Sequence, residues 1–443
     1  MTTDLTKGSI TKTMLIFTIP MVLGNLLQQF YNVADTLIVG RFIGTGALAA
    51  VGSAYSLMTF LTSVILGLCM GSGVIFSLRY GQRDMERLRN DFFVSFVLIA
   101  VLSLLVNFIV VVFQDSIMMT LSIPEDVYGL MSSYLRIIFM GIFFTFIYNY
   151  FSCLLRGVGD SLTPLLFLAV AALMNVALDY FLIVVMKMGV EGAAYATVIA
   201  QFFSAAGILC FSWVRFKALF PEIKDCYFKL SVLRELSSVS LLTCMQQSIM
   251  NFGILMVQGL VNSFGSAVMA AFGAAVKIDS FAYMPVQDFG NAFSTFVAQN
   301  KGADRVDRIL EGIRKAMVIS LVFCVVISFG VYVFADSLMM IFIEKQQWEI
   351  IRIGSEYLRI EGMFYCGIGI LFLLYGFYRA VGRAGMSVVL TVLSLGTRVV
   401  LAYVLSGIPF IGVKGIWVSI PIGWLLADFV GLVYYIKKKK VLL

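Results

Sequence analysis

Apolar residues run along this chain in long blocks, separated by short stretches of charge, glycine and proline. A helix of ~20 apolar residues is long enough to cross a bilayer. Twelve blocks meet that length: 14–40, 48–78, 92–113, 128–155, 163–186, 192–214, 236–261, 267–298, 313–335, 354–378, 386–408 and 412–436. They are helix-length, unlike the ~10-residue alternating strands of a membrane barrel. The pattern predicts an all-α membrane protein with twelve transmembrane helices.

The pattern also repeats. Gly44-x-Gly46 followed by Ala49-Ala50-Val51-Gly52 returns as Gly265-x-Ala267 followed by Ala270-Ala271-Phe272-Gly273, 221 positions later. Gly81 and Arg87 return at the same offset as Gly302 and Arg308. Tyr134-Leu135-Arg136-Ile137 returns 223 positions later as Tyr357-Leu358-Arg359-Ile360. Arg156-Gly157-Val158-Gly159 returns as Arg379-Ala380-Val381-Gly382, and Gly189-Val190-Glu191-Gly192 as Gly412-Val413-Lys414-Gly415. Collinear matches at a near-constant offset mean two copies of one unit. Each copy holds six spans. Six is even, so the copies run in parallel, and two parallel six-helix repeats around a central cleft are expected. Residues 1–214 form the first lobe and 235–443 the second. The hydrophilic stretch 215–234, which holds Pro221, is the linker.

The first block is the least ordinary. Between Pro20 and Gly46 it carries two asparagines, two glutamines and an aspartate among apolar residues. At about 100° per residue, Asn25, Gln28, Asn32 and Asp35 fall on one helical stripe, and Gln29 falls off it. An ionised Asp at the centre of a membrane helix costs ~2.5–3.5 kcal/mol on insertion scales, so such a stripe faces protein or water. It reads as a cavity wall ending in a carboxylate. Pro20 removes one backbone hydrogen bond, and a bend is expected there.

Composition agrees with the pattern: 60% of residues are hydrophobic, 13% are charged, and mean hydropathy is +0.97. Soluble domains carry ~25% charged residues. The net charge of +7 is no nucleic-acid footprint, because the basic residues lie in loops. Loops after even-numbered spans, together with both ends, hold most of them, including Lys437 to Lys440. The opposite side holds only Arg41, Lys187, Lys345, Arg352 and Lys414. By the positive-inside rule both termini are cytoplasmic and the chain is a multi-pass cell-membrane protein. The polar start has no small-residue cleavage site, so the first span is read as uncleaved. The seven cysteines form no C-x-x-C pair, so neither a metal site nor a disulfide framework is expected. There is no histidine, so proton chemistry near neutral pH falls to carboxylates in unusual surroundings. No phosphate loop or nucleophile motif is found, so neither an enzyme nor a cofactor is expected.

The order of these motifs carries a family resemblance. Val33-Ala34-Asp35-Thr36-Leu37-Ile38-Val39-Gly40 closes the first span, and Arg156-x-x-Gly159-Asp160 closes the fourth. Within twelve spans in two repeats, this resembles the multidrug and toxic compound extrusion (MATE) family over nearly the whole chain. Asp35 then matches the family's first-helix aspartate and Pro20 its bend proline. Asn175 and Asp179 on span five resemble the further polar pair of the DinF-like branch, and Thr197 on span six a threonine of the same cluster. The resemblance implies an ion-coupling site at Asp35, Asn175, Asp179 and Thr197. It implies export of small cationic, amphipathic compounds in exchange for protons or sodium, by a monomer among membrane lipids. Helix rise independently brings Asp35, Asp179 and Thr197 to a similar depth.

The second half lacks these acids: Asp179 corresponds to Ala402 and Asn175 to Arg398. Span seven has its own stripe of Gln247, Asn251, Gln258 and Asn262, read as substrate wall. Lys277, Asp279, Asp288, Glu361 and Arg398 are further charges in apolar surroundings. They are expected to pair within the second lobe, with a second cation or substrate site as the other reading. Two other functions compete with an exporter. A lipid-linked saccharide flippase on a related repeat would want a strongly cationic cleft, whereas the clear in-span cluster here is acidic. A receptor or structural membrane protein has no use for buried acids in a duplicated scaffold.

Overall fold

A computed structural model describes residues 3–120 and 125–442, and among these every regular element is helical. Helices α1 (Ile10–Phe42), α2 (Thr45–Gln82), α3 (Met85–Val112), α4 (Gln114–Thr120), α5 (Glu125–Gly157), α6 (Leu162–Asp179) and α7 (Gly189–Arg215) come from the first repeat. Helices α8 (Leu230–Asn262), α9 (Ser266–Gly302), α10 (Val306–Met339), α11 (Trp348–Gly362), α12 (Tyr365–Ala380), α13 (Ala384–Ser406) and α14 (Lys414–Leu442) come from the second. Eleven helices among the described residues are long and apolar enough to span a membrane. The pair α11 and α12, bent by 53° at its break, makes a twelfth. The expected span 354–378 is thus two helices, with Gly362 closing the first.

The duplication is written into the backbone. Left-handed residues recur at the same repeat positions: Gly44 and Gly265 (φ 118 and 96), Arg83 and Asp304 (φ 58 and 56), Gly159 and Gly382 (φ 91 and 79), Gly189 and Gly412 (φ 63 and 54). A positive φ strains most L-residues, so equal turns at equal offsets mark one ancestral fold used twice. The Arg-x-x-Gly-Asp motif acquires a local reason here. Gly159 makes the turn after α5, and the Asp160 carboxylate then opens α6. It accepts from the Leu162 and Thr163 amides (3.2 and 3.0 Å) and from the Thr163 hydroxyl (2.7 Å). Those amides have no partner within the helix.

Contacts group the chain into two units: residues 3–4 with Ile19–Cys244, and Leu5–Thr18 with residues 245–442. In the first, α2 packs on α5 and α3, α5 on α7, and α6 on α7. In the second, α9 packs on α12 and α10, α12 on α14, and α13 on α14, which is the same scheme. α1 runs as one helix through Pro20 and changes unit just ahead of it. α8 changes unit after Cys244.

Close backbone approach holds the head of α8 in the first unit. A Cβ at Gly67 or Gly71 of α2 would collide with the α8 backbone at Cys244 or Ser240. The Ser72 and Ser240 hydroxyls meet at 3.0 Å. Small residues at such crossings suit a bilayer, where burying apolar surface gives little drive for helices to associate. Arg79, read from the sequence as a loop cation, lies inside α2 and is buried. It binds Asp91 of α3 and Glu235 of α8, both at 2.8 Å. The stretch read as a linker is tied down too. Arg89 pairs with Asp225 at 2.7 Å, and the Asn90 amide donates to the carbonyls of Asp225 and Tyr227.

Candidate functional site

The first unit gathers its polar residues from three helices. Asp35 comes from the C-terminal part of α1, Asn175 and Asp179 from one face of α6, and Thr197 from α7. α1 and α6 are in contact lower down, where Gly24 sits against Leu165 and Leu168. Asn175 and Asp179 are one turn apart and buried, with Asp179 fully inaccessible. The Asn175 amide donates to the Thr197 hydroxyl at 3.4 Å, which links α6 to α7.

The carboxyl groups of Asp35 and Asp179 face each other within hydrogen-bonding range. Among the described residues no donor reaches either oxygen of Asp179 or the buried Oδ1 of Asp35, and Asn175 Oδ1 is also without a partner. A carboxyl pair can make a hydrogen bond between its members only if one of them holds a proton. Two anions so close resist joint ionisation, and among the described residues neither has a cation at ion-pair distance to offset it. The unpartnered acceptor oxygens of Asp35, Asn175 and Asp179 therefore make an acid-rich group that would be stabilised by a positive charge.

Two features of the site escape a reading by composition. Asp179 is the last residue of α6 before a π-helical turn, Tyr180–Val185. Such turns widen the helix and leave backbone groups out of the regular ladder. No single residue type marks one in sequence. The second feature is tyrosine. Tyr134 on α5 is buried within electrostatic range of Asp35, Asp179 and Tyr31. Tyr31 in turn accompanies Gln28, Tyr55, Asp35 and Tyr148. The signal for Tyr134 was its repeat partner: Tyr357, 223 positions on, faces the buried acids Glu361 and Asp279 of the second unit. The same tyrosine position lies within electrostatic range of an acidic group in each half.

The rest of the expected cavity wall is less uniform. Asn25, Gln28 and Asn32 are half-buried on α1, and Gln28 is bonded to Tyr31. In the second unit Gln247 is buried and Asn251 half-buried, while Gln258 donates to Asn262 on its own helix at 2.8 Å. Among the second-unit charges, Asp279, Glu361 and Arg398 are buried and interact with one another, and Tyr365 donates to Asp279 at 2.6 Å. No ion pair joins Arg398 to either acid among the described residues. Asp288 is buried as well. Lys277 departs from the expected pairing: it is exposed and has no carboxylate at ion-pair distance among the described residues. Its position on α9 turns it away from the buried face that Ile278 and Asp279 occupy. The shared repeat position of Arg136 and Arg359 does not carry a shared contact either. Arg359 pairs with Asp336 at 2.8 Å, whereas Arg136 is exposed.

Comparison with known proteins gives this geometry a context. The MatE family model matches residues 20–181 and 241–404, two segments whose starts and ends are offset by 221 and 223 positions. The probable multidrug resistance protein YpnP of Bacillus subtilis is 30% identical over 442 residues, covering 98% of this chain and 96% of its own. The probable multidrug resistance protein NorM of Thermotoga maritima is 25% identical, covering 97% and 93%. In three dimensions the chain superposes at a TM-score of 0.92 on a structure described as the outward-facing conformation of a multidrug resistance MATE family transporter. Identity there is 23%, with 99% and 98% of the two chains covered. A MOP superfamily transporter from Pyrococcus furiosus, described as having a binding pocket of reverse polarity, superposes at 0.90 with 23% identity and 99% and 98% coverage. Duplicated in backbone, matched by the family model in both halves and by a relative from end to end, the chain belongs to the MATE family of multi-pass membrane transporters, which are not enzymes.

Proposed function

We propose that this protein is a secondary active antiporter that exports small cationic, amphipathic compounds in exchange for protons or sodium. The observation that carries the reading is the Asp35–Asp179 pair: two facing carboxyl groups without a donor among the described residues, inside a transporter fold. A pair that cannot stay doubly ionised binds one positive charge and gives it up when a cationic substrate replaces it or water enters. Asn175, one turn from Asp179, donates to the Thr197 hydroxyl, so the same group of residues offers a carboxyl for a proton and further oxygens for a sodium ion. Multidrug resistance is what the relatives' names describe, and it supports the substrate class. A fold shared with a transporter of reverse pocket polarity does not fix that class, so the charge of this chain's own site decides it, and that charge is acidic.

The loops that hold most of the Lys and Arg support a cell-membrane protein with both termini on the cytoplasmic side. Export then proceeds by rocking of the two repeats, with α1 and α8 flexing where they change unit. The test is reconstitution in liposomes with a pH gradient and a sodium gradient imposed separately, while ethidium, a fluorescent monovalent cation, is followed. At least one gradient should drive uphill movement. Failure of both, with ethidium shown to bind, would end the antiport reading.

A further inference from the structure

One buried acid belongs to none of the groups above. Asp428 lies in the middle of α14 and is 5% exposed. Neither of its carboxyl oxygens has a hydrogen-bond partner among the described residues, and both are shut off from the surface. It faces the first turn of α12, just past the break from α11. There the space that a Cβ on Gly367 would fill is bordered by Asp428 Oδ2 at 3.7 Å, Trp424 Cβ at 3.5 Å and Leu425 Cδ2 at 3.8 Å.

Among the described residues, no basic group of the helices packed against α14 reaches ion-pair distance of Asp428. Glu356 of α11 pairs with Lys414, and Glu349 and Arg352 lie in the first two turns of α11, far in sequence from its break. On α13, Arg398 lies beside Gly423 and interacts electrostatically, without an ion pair, with Asp279 and Glu361. On α11, Glu361 belongs to that same group, and Arg359 pairs with Asp336. On α12, Arg379 donates to Asn291, and Tyr378 donates to the Gly431 carbonyl at 2.6 Å. Tyr375 of α12 is the titratable group that faces Asp428. An ionised carboxylate here would have no donor and no cation at ion-pair distance among the described residues. A sodium ion would need several oxygens, and Asp428 belongs to no cluster of carboxylates among the described residues. A proton needs only the carboxyl itself.

We propose that Asp428 is a proton-binding site of the second unit, separate from the Asp35–Asp179 pair, loaded while α12 and α14 are packed dry and emptied when their contact admits water. Loading forms one O–H bond with a proton from water, and emptying returns it. Only the second half of the proposal rests on the antiport reading.

Infrared spectroscopy of the detergent-purified protein at neutral pH tests the first half. Asp428→Asn, which keeps the shape of the neutral acid, should remove one protonated-carboxyl band, and should do so equally in an Asp35→Asn, Asp179→Asn background. Loss of a carboxylate band instead would show Asp428 ionised and overturn the proposal. Gly367→Ala, whose methyl fits in ordinary contact, offers a check that leaves Asp428 in place. It should keep the band and slow its exchange in deuterated water, and a band that vanishes in this variant would also overturn the site. Proteoliposomes test the second half. Protons moved per ethidium should fall in Asp428→Asn while ethidium still moves. An unchanged ratio would make the proton a permanent one. A wild type that moves no ethidium would defeat the antiport reading, yet the infrared result would stand.

Discussion

Asp35 of α1 and Asp179 at the end of α6 hold their carboxyl groups face to face, with no cation and no donor from the described residues to separate them. The two residues are 144 positions apart in sequence and are brought together by helices that pack at Gly24. Their meeting turns a half-buried and a buried acid into one site with a use for a positive charge.

The pair bears on how much driving force the protein can draw. One proton exchanged for one monovalent cation moves no net charge, and a pH unit then supplies ~1.4 kcal/mol, about tenfold accumulation. If the second carboxyl lets a second ion exchange, net charge moves, and 100 mV adds ~2.3 kcal/mol. In liposomes clamped with potassium and valinomycin, without pH or sodium gradients, voltage alone should drive ethidium uptake in the wild type. Asp179→Asn should abolish that response. A wild type indifferent to voltage would remove the second ion from the cycle.

Asp160 positions the pocket from a distance, because α6 starts on it and ends at Asp179. Asp160→Ala leaves two helix amides and a hydroxyl without their acceptor and should cost ~0.5–2 kcal/mol. The expected result is a lower unfolding temperature in detergent, with Asp160→Asn milder than Asp160→Ala. Equal stability of Asp160→Ala and the wild type would deny the cap its role.

Two arginines should differ sharply in worth. Arg79 is buried between Asp91 and Glu235, and Asp91 is itself 1% exposed. Arg79→Met strands a buried carboxylate and should destabilise by about 3 kcal/mol or more. Arg359 and Asp336 are each 38% exposed at the side chain, so Asp336→Asn should cost ~0–1 kcal/mol. Unfolding temperatures of the two variants, measured side by side, would refute this ranking if Asp336→Asn were the more damaging.

Much of this was legible in the sequence because the bilayer demands long apolar helices and makes each in-span acid conspicuous. The repeat was readable from glycines, since Gly44 and Gly265, or Gly159 and Gly382, mark turns few other residues make. What stayed hidden depends on partners rather than on residue type. The break after Gly362 and the π-turn after Asp179 leave the hydropathy pattern almost unchanged. The exposure of Lys277 follows from the direction of one side chain on a helix whose next two residues are buried. Tyr134 looks like any core aromatic until α1 and α6 set their acids against it. Asp428 did have a signal, an acid between Ala427 and Phe429 in an apolar span, and the pattern alone gave it no partner to be read with.

The account rests on the carboxyl pair as the coupling site, and Asp35→Asn tests that most directly. The substitution keeps size and hydrogen-bonding shape and removes titration, so the variant should fold and still bind ethidium. In proteoliposomes carrying the gradient that drives the wild type, it should accumulate no ethidium above equilibrium. Uphill accumulation by Asp35→Asn at the wild-type rate would show that the pair does not couple transport.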